Sequence, residues 1–191
     1  MTTATQEDVF STSPARGLAD GGRIDREGLK IFGAKAIELG RVNDSRPWTV
    51  DRTTLEQVVS LVNAQSGGKK MRFGHLSGDE ALGTTIGRAS NARISGDGSN
   101  ASVLVDVQLS RAAMKSPKGD LTSYLMDFAS ETPEDFGLSL HPKVDREAMA
   151  ATPPTKDGLR PLRFKQIQSI DFVDDPAATR GGLFAKFEQE L

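Results

Sequence analysis

The sequence predicts an α+β chain, mostly β: a small antiparallel barrel or sheet flanked by two or three helices. Three observations predict it. Six or seven stretches alternate apolar and polar residues with period two, the pattern of strands with unlike faces. Only two or three stretches carry apolar residues at helical spacing with capping residues in front of them. The strands do not alternate regularly with helices, as a parallel α/β sheet would require. The 191 residues read as one domain with tails. Residues 1–22 are rich in Thr, Ser, Gly and Ala and read as a flexible tail, 23–184 as the domain, and 185–191 as the start of a C-terminal helix or linker, a truncated or cleaved connection.

Within the domain, residues 29–39 predict a strand with two partly apolar faces, suited to the middle of a sheet. Residues 41–52, around Pro47-Trp48, predict a loop. A helix is expected from Thr53, with Thr53 as N-cap and Glu56 completing a capping box, and with Leu55, Val58, Val59 and Val62 as its apolar stripe. Gly67-Gly68 stops it, and Lys69-Lys70 are expected near its negative end. Residues 71–75 predict a short strand with Met71, Phe73 and His75 on one face, followed by a polar loop over 76–82. Residues 83–94 and 101–109 predict a hairpin around Asp97-Gly98. Ser110 is placed to cap a turn at 111–115, and Asp120 to open a second helix carrying Leu121, Tyr124, Leu125 and Phe128. The strand around Ser139 follows, then a loop over 145–161, then the last strong strand, 162–173, which Asp174-Asp175-Pro176 ends.

Composition excludes several function classes. The chain has no cysteine, which removes disulfides, thiolate catalysis and cysteine-bound metals. A net charge of −2 and dispersed basic residues give no footprint for nucleic acid or anionic membrane. No apolar run approaches the roughly 20 residues that span a bilayer, and the N-terminus lacks the basic and apolar regions of a secretory signal, so a cytoplasmic chain is expected. With two histidines, no metal site and no cofactor are expected. The Asp174-Asp175-Pro176 cluster reads as a solvated strand end rather than converging oxygens for a hard cation.

The residues that could carry chemistry are few. General-base work near neutral pH by an unperturbed side chain falls to His75 or His141. Alternation in Phe136-Gly137-Leu138-Ser139-Leu140-His141 puts Ser139 and His141 on the face opposite the large apolar groups. A serine hydroxyl becomes a nucleophile when a base takes its proton and a third polar group orients that base. His75 is the candidate base and Ser139 the nucleophile. Ser169 and Asp171, which share a strand face, and less strongly Asp174, are candidates to orient the base. His141 ranks below them, because closeness to Ser139 in sequence does not bring its ring to His75; substrate contact is its alternative role.

Four segments, in this order and spacing, resemble the tailed-phage prohead (head-maturation) proteases, serine endopeptidases related to the herpesvirus assemblins. They are Lys30-Ile31-Phe32-Gly33-Ala34-Lys35-Ala36-Ile37, Arg72-Phe73-Gly74-His75, Gly137-Leu138-Ser139-Leu140, and Ile167-Gln168-Ser169-Ile170-Asp171-Phe172-Val173-Asp174-Asp175-Pro176-Ala177-Ala178. The resemblance covers about residues 24–184. It implies an assemblin-like barrel with Ser139 as nucleophile and His75 as base. Many phage members carry an acidic residue where Ser169 aligns, so Asp171, Ser169 or a bare dyad stay open as the third element. The resemblance also makes Arg180, in Arg180-Gly181-Gly182, the oxyanion candidate. It implies scaffold and major capsid proteins (and the chain itself) as substrates, a homodimer, and a place inside the assembling procapsid in the host cytoplasm. The alternative is a non-catalytic assembly or scaffolding module that keeps the fold.

Overall fold

The computed structural model describes residues 22–42, 46–75 and 79–184. The expected N-terminal tail, apart from Arg23's neighbour at 22, and the expected C-terminal helix start at 185–191 lie outside the described residues. The described chain is α+β and mostly sheet.

It begins with a hairpin of β1 (Arg23–Asp25) and β2 (Lys30–Glu38). The Gly28 N–H donates to Asp25 Oδ1 at 2.9 Å and ties the turn. β2 bulges at Gly33, whose φ of 70° suits a residue without Cβ and whose N–H turns to Asp106 Oδ1 at 3.0 Å. Two short strands, β3 (Gly40–Arg41) and β4 (Trp48–Val50), occupy the region where sequence predicts only a loop.

Helix α1 (Arg52–Asn63) starts two residues earlier than expected, with Asp51 as N-cap and Thr54 completing the box. The Thr54 N–H donates to Asp51 Oδ1 at 2.8 Å, and the Asp51 N–H returns to Thr54 Oγ1 at 3.3 Å. Arg163 decides for Asp51 over Thr53. Its buried guanidinium donates to both Asp51 oxygens, at 2.9 and 2.8 Å. Burial alone would raise the Asp51 carboxyl. Donation from Arg163, from the Thr54 N–H and from the Thr54 hydroxyl outweighs it and holds the group below its ordinary value. The stripe is as expected: Leu55, Val58 and Val62 are buried and Val59 packs against the core.

β5 (Lys69–Phe73) takes in both lysines, so they belong to the sheet and not to the helix end; Lys69 is buried. A single helical turn, α2 (Asp79–Leu82), replaces part of the expected loop. β6 (Thr85–Ser95) and β7 (Ser102–Leu109) form the expected hairpin. Ser110 caps a 3-10 turn at Arg111–Lys115, and Asp120 caps α3 (Leu121–Glu131), accepting from the Ser123 N–H. β8 (Gly137–Val144) carries Ser139. α4 (Arg146–Ala151), capped by Asp145, and β9 (Arg160–Pro161) correct the loop expected over 145–161. β10 (Phe164–Val173) is the last strand.

The strand order of the main sheet is β1-β2-β7-β6-β5-β10-β8, and β3-β4-β9 form a second, small sheet. Pairings in the main sheet are antiparallel except for β5 with β10. α1 lies across β6, β7 and β10, burying its stripe in one continuous core. The far strand β8 comes back into contact with β2. The segment after β10 fills the join: Glu38 N–H donates to Ala178 O at 3.0 Å, Lys35 N–H to Leu183 O at 2.7 Å, and Thr179 Oγ1 to Leu138 O on β8 at 3.3 Å. Buried Lys35 also donates its ammonium to the Arg180 carbonyl and to Glu38 Oε2.

Candidate active site

β10 is the ruler of the site. Its residue Asp171 stands opposite Ser139 of β8 on one side and beside Arg72 of β5 on the other. Residues directly opposed in an antiparallel pair project from the same face, with Cβ atoms roughly 4.5–5.5 Å apart. Ser139 and Asp171 therefore emerge together. Two residues along, His141 and Ser169 form the next opposed pair on that face. Between them and the strand start lies a bulge at Ile167/Ser169, opposite Pro142, which has no N–H to give the ladder. The bulge lies outside the two pairs, and the unbroken register from Ser169 to Asp171 keeps all four side chains on one side.

His75 reaches this patch by leaving its strand. Continued alternation would carry it to the Met71/Phe73 side, as the sequence predicts, and that is the side away from Asp171. Gly74 prevents this. Its N–H donates to Phe172 O at 2.8 Å, one last rung of the ladder, and its φ of 82° turns the chain. The imidazole then swings onto Asp171, with Nδ1 2.8 Å from Oδ2. A carboxylate only accepts, so Nδ1 carries the proton and Nε2 of the neutral ring is left with its lone pair.

Asp171 is fully buried and the His75 side chain is 42% exposed. Its Oδ2 receives a second donor, the Ser169 hydroxyl at 3.0 Å. The alternatives left open by the sequence for the third element are thus arranged in series: Asp171 touches His75, and Ser169 touches Asp171. Among the described residues, Asp171 Oδ1 is buried with no hydrogen-bond partner, and so is His141 Nδ1.

Two site expectations change. His141 is not remote from His75: the ring centroids are 5.8 Å apart in an edge-to-face arrangement, because the Gly74 turn brings His75 over β8. Arg180 lies elsewhere. Its guanidinium donates to the Arg41 carbonyl at 2.8 Å, sits 3.9 Å from Glu38 Oε1, and lines a cleft with Arg41, Glu134 and Asp175; none of Ser139, His75 or Asp171 lines that cleft. Asp174, a weaker candidate than Ser169 and Asp171 to orient the base, lies past the end of β10, whereas Asp171 makes the contact to His75.

Sequence reasoning missed the cavity beside His75. It measures about 550 Å³ and is lined by Phe73, Tyr124, Phe128 and Phe136 and by the exposed Asp135, Asp174 and Asp175 at its rim. The aromatic rings run as a chain, Tyr124 to Phe128 at 5.6 Å and Phe128 to Phe136 at 4.7 Å between centroids. The signal was present in the expected α3 stripe, of which Leu121 and Leu125 are buried while Tyr124 is half exposed.

Arranged this way, the patch can hold a hydroxyl beside a base whose second nitrogen is anchored on a buried carboxylate. Comparison with protein-family models, curated proteins and solved structures found no match for the chain.

Proposed function

We propose that this chain is a serine endopeptidase that acts by forming an acyl-enzyme at Ser139. The observation that carries the reading is the 2.8 Å contact of His75 Nδ1 with fully buried Asp171, whose strand partner is Ser139. His75 Nε2 takes the Ser139 proton as Oγ attacks the scissile carbonyl, then returns it to the departing amine. Water, deprotonated by the same nitrogen, releases the acyl group. Asp171 holds the imidazole in the required tautomer and stabilises its charged form while the tetrahedral intermediate lasts. Ser169 fixes the carboxylate. Arg180 would have to release the Arg41 carbonyl to act on the oxyanion, so the mechanism rests on Ser139, His75 and Asp171.

The aromatic cavity next to His75 suits an apolar substrate side chain, and its carboxylate rim suits a basic neighbour. The contact between β2 and β8, sealed by the segment after β10, supports a closed, assemblin-like barrel. With the order of the four segments that resemble that family, this supports a head-maturation role: cleavage of scaffold and capsid proteins, and of the chain itself, inside the procapsid in the host cytoplasm. By the same resemblance the enzyme works as a homodimer.

The test is intact-mass spectrometry of wild type, Ser139→Ala and His75→Ala after exposure to a fluorophosphonate and, separately, to capsid and scaffold proteins. One adduct on Ser139, and fragments that both variants fail to make, are expected. Folded wild type that neither labels nor cuts its assembly partners would instead support the non-catalytic module.

A further inference from the structure

We propose that His75, His141 and Asp171 form a binding site for a divalent transition-metal ion, with Zn²⁺ the best fit. A ring nitrogen from each histidine and a carboxylate oxygen of Asp171 all lie within 4.8 Å of one another. Zinc takes imidazole nitrogen and carboxylate oxygen at about 2.0–2.2 Å and is satisfied by three protein ligands with a fourth position open. Binding requires the two imidazoles, His75 at a turn and His141 on β8, to rotate and close the remaining gap.

Two further observations point to a ligand here. Asp171 Oδ1 belongs to a side chain with no exposed surface, yet it has no hydrogen-bond partner among the described residues. His141 Nδ1 is likewise buried and unpartnered. Buried polar atoms in folded proteins are normally paired, and a cation at this junction supplies what the carboxylate lacks. The Ser169 hydroxyl on Oδ2 holds the carboxylate as outer partners hold metal ligands elsewhere. Two imidazoles and one carboxylate suit zinc and its neighbours in the first transition row. Magnesium and calcium want more oxygens than the site offers. The chain holds only these two histidines and no cysteine, so the ion has no other imidazole or thiolate to use.

The ion would draw His75 away from Ser139, and bound metal would therefore silence the nucleophile reversibly. This consequence rests on the proposed hydrolase reading; the metal site itself does not.

The experiment uses untagged full-length protein stripped with a chelator. Zn²⁺ is titrated calorimetrically, and Co²⁺ is titrated with its visible absorption recorded. One ion per chain is expected in wild type and in Ser139→Ala, with affinity reduced about 100-fold or more in His141→Ala and in Asp171→Asn. Circular dichroism melts confirm that each variant is folded. Fluorophosphonate labelling of wild type should slow in Zn²⁺ and recover with chelator, while His141→Ala is insensitive at the same concentration. No binding by wild type, or equal binding by folded His141→Ala, overturns the site. Binding that leaves the labelling rate of a reactive Ser139 unchanged overturns the silencing. A Ser139 that never labels while one ion still binds would count against the hydrolase reading and leave the metal site standing.

Discussion

Replacing Asp171 by Asn tests the functional reading at its most buried atom. The carboxylate accepts from two donors on one oxygen, His75 Nδ1 at 2.8 Å and Ser169 Oγ at 3.0 Å. Because both donors meet at one oxygen, an amide of the same shape either sets its own oxygen there and keeps both, or turns its NH₂ group toward both. If the amide donates to His75, the ring takes the opposite tautomer. Nε2 then carries the proton and has no lone pair for Ser139. If the amide oxygen keeps His75, no negative charge balances the imidazolium when it forms. Either outcome should cost about 10³–10⁴ in the rate of attack, as in the serine-protease triad, which is roughly 4–5.5 kcal/mol on the barrier. Folding should respond differently. The substitution removes a charge from a site with no exposed surface, so melting should stay level or rise slightly. The assay is the second-order rate of fluorophosphonate addition to Ser139, followed by intact mass, beside thermal melts of both proteins. A labelling rate within tenfold of wild type, in a folded variant, would refute the role given to Asp171.

Other expectations follow from the packing around the site. Asp51→Asn keeps a competent N-cap but strips the charge from the Arg163 pair, and urea unfolding should show a loss of about 1.5–3 kcal/mol at neutral pH. Because the folded Asp51 carboxyl titrates below its ordinary value, its contribution is present above the unfolded value and is lost as pH falls through the folded one. Asp106 acts in the same direction: burial raises it, but donation from Asn91, the Gly33 N–H and Arg93 lowers it further. Melting temperature should thus drop as pH falls through and below the ordinary carboxylate range, and less steeply in Asp51→Asn. Gly137→Ala would place a Cβ 2.9 Å from Pro176 Cγ and 3.2 Å from Thr179 Oγ1, at the start of the strand that presents Ser139. Chemical unfolding should show about 1–3 kcal/mol of lost stability, and Ser139 labelling should slow; an unchanged melt would mean that the Pro176 turn yields freely.

What the sequence determined by itself is whatever local geometry repeats. Period-two alternation put Ser139 with His141, and Ser169 with Asp171, on common strand faces, and it located the last strand to within two residues, while the Ser139 strand runs three residues past His141. Helical spacing found the buried stripe of α1, and the turn residues found the β6–β7 hairpin. Contacts made across the chain decided the rest. The helix start moved to Asp51 because Arg163, 112 residues away, holds that carboxylate. The short strands β3 and β9 exist only because β4 lies between them to supply partners. The placement of β10 between β5 and β8 brought Asp171 beside Ser139, and no pattern within either strand encodes that neighbour. His75 shows the division most sharply. Its identity as a candidate base is legible from composition, but strand alternation points it to the wrong side. The Gly74 turn, pinned to the Phe172 carbonyl, reverses that direction and sets the imidazole over Asp171 and next to His141. Side-chain direction within a strand is a local property; side-chain direction after a turn depends on what the turn is bonded to, and that partner lies on another strand.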